Sequence, residues 1–375
     1  MPNKVKFPKI GQKPLFFPDA TRAVVKTLDS EDITNTHTPG ILVNTYHLLT
    51  NPGVSVIKKF GGVAKFMNWN GITISDSGGF QIMSLIKKGA HPLGGGSHFT
   101  RGVCTDKGVV FKPVGQKKVE LTPEISLATQ FTLGTDLMVV LDDFTPPTAT
   151  YEEAKETVRR TLLWAERSLK EYTNLLKSTK IYKNQPQPIL TGVVQGGFFP
   201  DLRAECTKQL IAMGYRALGY GGWPLRQAQG KLGGEFDYQS AEIIASNAKS
   251  DTLLYGLGIG KPHEIKALVS MGYTVFDCVL PTRDARHKRL YVYNADTINN
   301  IDITSDTFYS YYTPDKERYY KDTTPVSTAC DCLLCTNYTK AYLSHLFRIN
   351  EISAMRLASI HNLRFYSLLM EKLVL

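Results

Sequence analysis

Two aspartates follow short apolar runs typical of buried β-strands, and a carboxylate in such a place can act as a nucleophile or as an acid. Asp277 ends the run YTVFD and is followed by a proline turn and basic residues. Asp76 ends GITISD, and Gly78 and Gly79 then allow the backbone to approach a bound group closely. Each aspartate alone also fits a helix cap or a turn.

Five further apolar runs end in polar or glycine residues in the same manner. The residues at these ends are Asn44, Asp142 with Asp143, Gln195, Gly222 and Tyr255. The carboxyl ends of parallel strands meet at one edge of a sheet, where α/β proteins place their sites. The repeated pattern therefore predicts one functional rim rather than a set of unrelated turns.

Three of the six cysteines are crowded together as Cys330, Cys332 and Cys335. Disulfides do not explain this crowding in a cytosolic chain, whereas three thiolates can bind one metal ion. His361 supplies a fourth ligand, with His345 as the alternative. Four protein ligands leave no position for water, so the pattern predicts a structural Zn²⁺.

Amphipathic helical stretches separate the apolar runs, for example at residues 151–177 and 200–214. Alternating strands and helices indicate right-handed βαβ units and a parallel sheet. Functional residues after nearly every strand favour a (β/α)8 TIM barrel over an open doubly wound sheet, which gathers them at one switch point. No GxGxxG lies between a strand and a helix. The glycine-rich residues 91–98 are interpreted as a loop beside Asp76.

The compositional break lies at residues 303–364, which are rich in tyrosine before the cysteines. We predict a small zinc-binding subdomain there, near the C-terminus, and a catalytic barrel formed by residues 1–302 and 365–375. The segment after the cysteines is expected to form two helices with a break near Asn350, which would let His361 fold back onto the thiolates.

The composition, with 42% hydrophobic and 21% charged residues among 375, is that of a soluble globular protein. No run approaches the roughly 18 apolar residues that span a bilayer, and no signal peptide is evident, so we expect a cytoplasmic protein without a membrane partner. Lys and Arg number 44 against 34 Asp and Glu, a net charge of +10. This excess favours a polyanionic partner such as nucleic acid.

Several segments together resemble the tRNA-guanine transglycosylases over nearly the whole chain. They are NTYHL at 44–48, DSGGFQ at 76–81, QGG at 195–197, GLGIGKP at 256–262, FDCVLPTR at 276–283 and the Cys330, Cys332, Cys335 and His361 set. The resemblance implies a pentosyltransferase, built as a (β/α)8 barrel with a zinc subdomain. Members exchange the guanine at the tRNA wobble position for a 7-deazaguanine base in queuosine biosynthesis.

The resemblance also assigns the reaction to named residues. It makes Asp277 the nucleophile and Asp76 the general acid and base. Two inversions at one ribose carbon, as in retaining glycosidases, require such a covalent intermediate. Residues expected to bind the base are Ser77, Gly78, Gly79, Phe80, Asp142, Gln195, Gly222, Trp223 and Tyr255, with Phe80 and Tyr255 stacking on its faces. Residues expected to hold RNA are Gly256, Lys261, Thr282, Arg283 and Arg286.

Three residues near the 7-substituent depart from the family pattern, namely Phe144, Trp223 and Leu225. Both preQ1 (7-aminomethyl-7-deazaguanine) and queuine are therefore left as the incoming base. The implied partners are a tRNA with a GUN anticodon and a second copy of the chain, bound through the helix that carries Tyr338, Tyr342 and His345. The alternatives are a DNA-directed 7-deazaguanine transglycosylase and a non-catalytic zinc-dependent RNA-binding subunit.

Overall fold

The computed structural model describes residues 7, 13–79, 101–112, 119–178, 186–222 and 236–373. Its centre is a barrel of eight parallel strands. They are β1 (Leu15–Pro18), β2 (Gly40–Val43), β3 (Ile72–Ser75), β4 (Leu137–Val139), β5 (Ile189–Val194), β6 (Ala217–Tyr220), β7 (Leu253–Gly256) and β8 (Tyr273–Cys278). The spatial order is β1-β8-β7-β6-β5-β4-β3-β2. The predicted (β/α)8 barrel is confirmed.

The first strand, β1, was not predicted, because its apolar run LFFP is only four residues long and is bounded by prolines. It pairs with β8 in parallel, with Phe17 opposite Asp277. On its other side, an isolated bridge joins Asp19 to Leu42 of β2, and the Ala20 amide donates to the Leu42 carbonyl at 2.6 Å. These contacts bring the two ends of the eight-stranded sheet together.

Helices surround the strands. Those of the barrel region are α1 (Ser30–Asn35), α2 (Thr45–Leu48), α3 (Val54–Phe60), α4 (Val63–Phe66), α5 (Pro123–Leu133), α6 (Tyr151–Ser178), α7 (Pro200–Met213), α8 (Tyr238–Asn247), α9 (Pro262–Ser270) and α10 (Leu280–Arg286). Strands Arg101–Thr105, Gly108–Lys112 and Val119–Leu121 form a separate antiparallel sheet. No helix in the described part of the chain is long and apolar enough to cross a membrane.

Apolar side chains fill the inside of the barrel. This buried cluster contains Phe17, Leu42, Ile72, Ile74, Leu137, Val139, Val193, Tyr255 and Val275. Successive side chains of a strand alternate between its two faces, so the residue two positions after an inward residue also faces inward. Asp19, Asp76 and Asp277 follow Phe17, Ile74 and Val275 by two positions. The barrel core therefore ends in a layer of three carboxylates.

The C-terminal region is a hairpin of strands Leu290–Tyr293 and Tyr309–Tyr312, followed by α11 (Leu333–Asn337), α12 (Lys340–Arg348) and α13 (Ile352–Lys372). Asn350 has φ of 56° between α12 and α13, which confirms the expected helix break. Helix α13 is continuous across residue 364 and is buried along most of its length. The boundaries of a zinc subdomain at 303 and 364 stay a prediction.

Candidate active site

Asp76 lies just beyond β3 and is held by donors from the end of β2. Asn44 donates its side-chain amide to Oδ2 at 2.6 Å, and the Thr45 amide donates to Oδ1 at 3.0 Å. The Gly78 amide also donates to Oδ1, at 3.0 Å. Gly78 has φ of +79°, and a Cβ there would lie 2.9 Å from Tyr46. Glycine is thus required for this turn around the carboxylate.

The rest of the DSGG turn is tightly packed. Ser77 is buried, and its hydroxyl accepts the Gly79 amide at 3.2 Å. Its carbonyl accepts the Ser126 hydroxyl of α5 at 2.9 Å. A Cβ on Gly79 would lie 2.5 Å from the Leu141 side chain. The turn is therefore fixed both to the segment after β4 and to α5.

Asp277 lies within β8, one position before the strand ends. One of its oxygens, Oδ1, accepts the Tyr255 hydroxyl at 2.7 Å and the Gly258 amide at 3.0 Å. Among the described residues, these donors leave Oδ2 without a hydrogen bond. The carboxylate is thus oriented by one oxygen while the other remains available as a nucleophile.

Burial changes the ionisation of the rim carboxylates. It raises the pKa of Asp76 to about 7, against the opposing effect of the Thr45 and Gly78 amides; the charges of Asp19 and Asp277 raise it further. Burial also raises the pKa of Asp277 to about 6, although the Gly258 and Tyr255 donors lower it. Near neutral pH, Asp76 can hold a proton while Asp277 is mostly ionised. These two protonation states suit a pair in which one carboxyl group is an acid and the other is a nucleophile.

Asp142 and Gln195 form a polar edge beside the DSGG turn, where a Cβ on Gly79 would lie 3.7 Å from the Asp142 carbonyl oxygen. Gln195 donates its amide to Asp142 Oδ2 at 2.6 Å and accepts the Thr145 amide at 3.2 Å. Burial raises the pKa of Asp142 to about 6. Asp143, the neighbouring carboxylate, is instead paired with Arg160. Asp142 is therefore the member of this pair that faces the site with an unneutralised charge.

The loop after β6 lies against the same edge. Gly222 has φ of +91°, and its Cβ position would be 3.3 Å from both Gln195 Oε1 and Arg203 Nη2. Arg203 is fully buried and donates to the carbonyls of Val194, Gly197 and Gly221 at 2.6 to 2.9 Å. This guanidinium ties the QGG turn to the Gly222 turn. The sequence analysis did not identify it.

The predicted RNA-contact residues have different surroundings. Gly256 and Thr282 are buried, whereas the Lys261 side chain is exposed and pairs with Glu264 at 2.9 Å. Arg283 is exposed on α10. Arg286 is partly buried, and its Nη1 has no hydrogen-bond partner in the described part of the chain. Arg283 and Arg286 are the exposed and semi-exposed cations that directly follow the Asp277 strand.

Tyr255, predicted to stack on the base, has no exposed surface and donates its hydroxyl to Asp277. Leu257, two residues further on, is partly exposed and packs against Gly219. Phe144 is partly buried beside Asp143. Phe80, Trp223, Leu225 and the loop 91–98 lie outside the described residues. The stacking roles of Phe80 and Tyr255 stay predictions.

Asp19 is a rim carboxylate that the sequence analysis missed. It directly follows the short strand β1, and its negative charge raises the pKa of both Asp76 and Asp277. The sequence does contain an indication of this strand end, because an acidic residue follows the apolar run LFFP. The other strand ends were predicted from the same pattern of a polar residue after an apolar run.

A candidate metal centre lies within the C-terminal region. The ligand atoms of Cys330, Cys332, Cys335 and His361 lie within 4.8 Å of one another, and all four residues are buried. His361 Nε2 is 2.8 Å from the Tyr291 carbonyl, which leaves Nδ1 for the metal. His345 is exposed on α12. His361 is thus the histidine that completes the set.

Comparison with known proteins agrees with this arrangement. The family model for queuine tRNA-ribosyltransferase matches residues 4–373. The chain belongs to the queuine tRNA-ribosyltransferase family. A protein of that name from Shewanella sp. (strain W3-18-1) is 34% identical over 365 residues, covering 96% of this chain and 86% of its own. One from Psychrobacter cryohalolentis is 35% identical over 364 residues, covering 96% and 85%.

Membership of the queuine tRNA-ribosyltransferase family confirms the predicted resemblance and the class of enzyme, a pentosyltransferase. It also agrees with the barrel and with the buried Cys₃His group, which is suited to a metal ion. Asp76 and Asp277, which are predicted to supply the acid–base and nucleophilic groups, both lie at strand ends.

Proposed function

We propose that this chain is a tRNA-guanine transglycosylase that works by double displacement. Two neighbouring carboxylates at the rim support this proposal. Asp76 has its pKa raised to about 7, and Asp277 has one oxygen that accepts no hydrogen bond from the described residues. An acid and a nucleophile at the rim of the barrel are the groups that glycosidic exchange requires. A subunit without catalytic function has no need of either.

In the first half-reaction, the free Asp277 oxygen attacks C1′ of the target ribose while the bond from C1′ to guanine breaks. Asp76 gives its proton to the ring of the departing guanine and becomes a carboxylate. In the second half-reaction, Asp76 takes the proton from the incoming base, whose nitrogen attacks C1′ and releases Asp277. Each step inverts C1′, so the new base occupies the face of the old one.

We assign recognition of the guanine-like edge to Asp142, Gln195 and the Gly222 backbone. An ionised Asp142 accepts from two N–H groups, and the Gln195 amide pairs with the ring carbonyl. We place Leu257 against the base in this conformation, because Leu257 is partly exposed whereas Tyr255 has no exposed face. The target base must be flipped out of its stack to reach this edge.

The partner we propose is a tRNA with a GUN anticodon. The net charge of +10 and the cations Arg283 and Arg286, just after Asp277, support binding of the RNA backbone. The incoming base is a 7-deazaguanine, either preQ1 or queuine, because Phe144, Trp223 and Leu225 depart from the family pattern. We place the reaction in the cytoplasm.

We propose Zn²⁺ for the Cys₃His group. Three thiolates and one imidazole are the ligand set that tetrahedral zinc prefers, and the Tyr291 carbonyl orients the imidazole. All four ligands are buried, so the ion would stabilise the packing of α13 against the cysteine segment that leads into α11. It takes no part in bond cleavage in this proposal.

The proposed function is tested by incorporation of labelled guanine into unmodified tRNA with a GUN anticodon, beside duplex DNA and an Asp277→Asn control. We expect incorporation into tRNA that the substitution abolishes while tRNA binding persists. Incorporation into DNA alone would indicate a DNA-directed enzyme. Binding without incorporation by the native protein would indicate an RNA-binding subunit.

A further inference from the structure

Asp19 lies between the strands that carry the two catalytic aspartates. Phe17 of β1 is opposite Asp277, and Asp19 is two residues further along the same inward face. On its other side, Asp19 is bridged to Leu42 of β2, whose end supplies the donors of Asp76. Neighbouring strands are about 4.8 Å apart. Asp19 is thus one strand away from Asp277, slightly above it at the rim.

The Asp19 side chain is oriented through a single oxygen. Oδ1 accepts the Thr21 amide at 2.7 Å and the Thr21 hydroxyl at 2.5 Å. Within the described part of the chain, Oδ2 accepts no hydrogen bond. Asp19 is only partly buried. Asp19 therefore has a fixed orientation and an unused acceptor beside the reacting centre.

The stereochemistry of a nucleoside identifies the substrate group on this side. The base of a natural ribonucleoside lies on the β face of the ribose, so Asp277 must attack C1′ from the α face. The 2′-hydroxyl is on the α face of the adjacent carbon. A carboxylate beside Asp277 on the attacking side consequently faces the 2′-hydroxyl.

We propose, on the basis of the function proposed above, that Asp19 binds the 2′-hydroxyl of the target ribose and so selects RNA over DNA. The hydroxyl donates to Asp19 Oδ2, and no bond to Asp19 is made or broken in the reaction. Hydrogen bonds to the 2-hydroxyl of a sugar strengthen as positive charge develops at the anomeric carbon. The 2′-hydroxyl is also the group that distinguishes RNA from DNA at a single nucleotide.

The effect is expected to be large enough to measure. A hydrogen bond from a neutral donor to a charged group contributes about 1.5–3 kcal/mol, which is about 10- to 100-fold in kcat/KM. Asp19→Ala is the most informative variant, because it removes the acceptor and leaves no donor in its place. In Asp19→Asn, Thr21 would hold the amide oxygen in the place of Oδ1, and the NH₂ group could still donate to the 2′-hydroxyl, which is an acceptor as well as a donor.

The experiment uses two synthetic anticodon stem–loops that differ only in having ribose or 2′-deoxyribose at the exchanged guanosine. The kcat/KM for labelled guanine is measured on both substrates with the native protein and with Asp19→Ala. Because both proteins act on the same two sugars, the intrinsic lability of the deoxynucleoside cancels in the comparison. Glu205→Gln, exposed on α7, is the control with the same change of net charge.

We expect the ratio of ribose to deoxyribose activity to fall about 10- to 100-fold in Asp19→Ala and to be unchanged in Glu205→Gln. An equal loss on both sugars would overturn the proposal, since Asp19 would then act on the protein rather than on the hydroxyl. Thermal unfolding verifies that the variant is folded, and Asp19→Asn, with a smaller expected fall in the same ratio, replaces it if it is not. If the native protein exchanges guanine in neither stem–loop, the proposed function itself fails.

Discussion

Asp76 and Asp277 have the same side chain, but the structure gives their carboxylates different donors. Asp76 accepts three hydrogen bonds from Asn44, Thr45 and Gly78, which favour its charged form. Its pKa is nevertheless raised to about 7, because burial and the nearby negative charges outweigh those donors. At this scale, the surroundings rather than the residue type give the two aspartates different pKa values.

The rate of guanine exchange should depend on pH. Attack requires ionised Asp277, whose pKa is about 6, and departure of guanine requires protonated Asp76, whose pKa is about 7. We expect kcat/KM for guanine exchange to rise up to about pH 6.5 and to fall about sixfold by pH 8. Initial rates between pH 5 and 9 measure this profile. A rate that stays level from pH 6 to 9 would contradict the role of Asp76.

Stability should also depend on Asp277. Its folded pKa, about 6, is above the unfolded value near 3.9, so ionisation costs stability as pH rises through about 6. Asp277→Asn keeps the oxygen that accepts from Tyr255 and Gly258. We expect it to raise the free energy of unfolding by about 1–3 kcal/mol at pH 8 and to have little effect at pH 4.

Urea unfolding of both proteins at pH 4, 6 and 8 measures this difference, with exposed Glu205→Gln as the control. If Asp277→Asn raises the free energy of unfolding by the same amount at all three pH values, the difference in stability comes from packing and not from ionisation. If the gain in the free energy of unfolding depends on pH and exchange activity is lost, the ionisable Asp277 side chain supports activity but lowers stability.

At the scale of elements, helix α13 connects the metal centre to the barrel. The same helix carries His361 among the metal ligands and Tyr366, whose hydroxyl donates to the Gly260 carbonyl beside the rim at 2.5 Å. Asn362, next to His361, donates to the Pro281 carbonyl at the start of α10. Metal binding therefore supports the segments on which Asp277 and its basic neighbours depend.

We predict that His361→Ala loses the zinc, about one ion per chain, and lowers the unfolding temperature. The physical reason is that four ligands are needed to close the tetrahedral site. Metal analysis and thermal unfolding measure the two effects. His345→Ala is the matched control, because this histidine is exposed on α12, and it should retain both the metal and the unfolding temperature. Zinc loss in the control and not in His361→Ala would contradict the assignment.

At the scale of the whole molecule, the C-terminal region exposes large apolar side chains. Tyr338 and Tyr342 are exposed, with rings stacked at a centroid distance of 5.2 Å, and Ile352 is 72% exposed. Exposed apolar side chains grouped on one face are typical of an interaction surface. The homodimer that we propose would cover this part of the molecule and leave the barrel rim open to RNA.

We predict that sedimentation at micromolar concentration gives twice the chain mass of 41.8 kDa. Tyr342→Asp should convert the protein to monomers, because it places a charge on the apolar surface. Phe60→Asp is the control, since Phe60 is 53% exposed but belongs to α3 of the barrel. A native protein that sediments as a monomer would refute the dimer.

The sequence by itself determined the fold class and the main chemical groups, because these depend on local patterns. Seven strand ends, the helices between them and the spacing of the cysteines are each visible in a short segment. The barrel, the two aspartates and the Cys₃His ligands all follow from such patterns.

The tertiary structure decided what depends on residues that are distant in the chain. It selected His361 over His345, because the fold returns α13 to the cysteines. It showed that the four-residue strand β1 closes the barrel and brings Asp19 to the rim. It also separated the pKa values of Asp76 and Asp277, since burial and the charges of other strands arise only when the barrel is assembled.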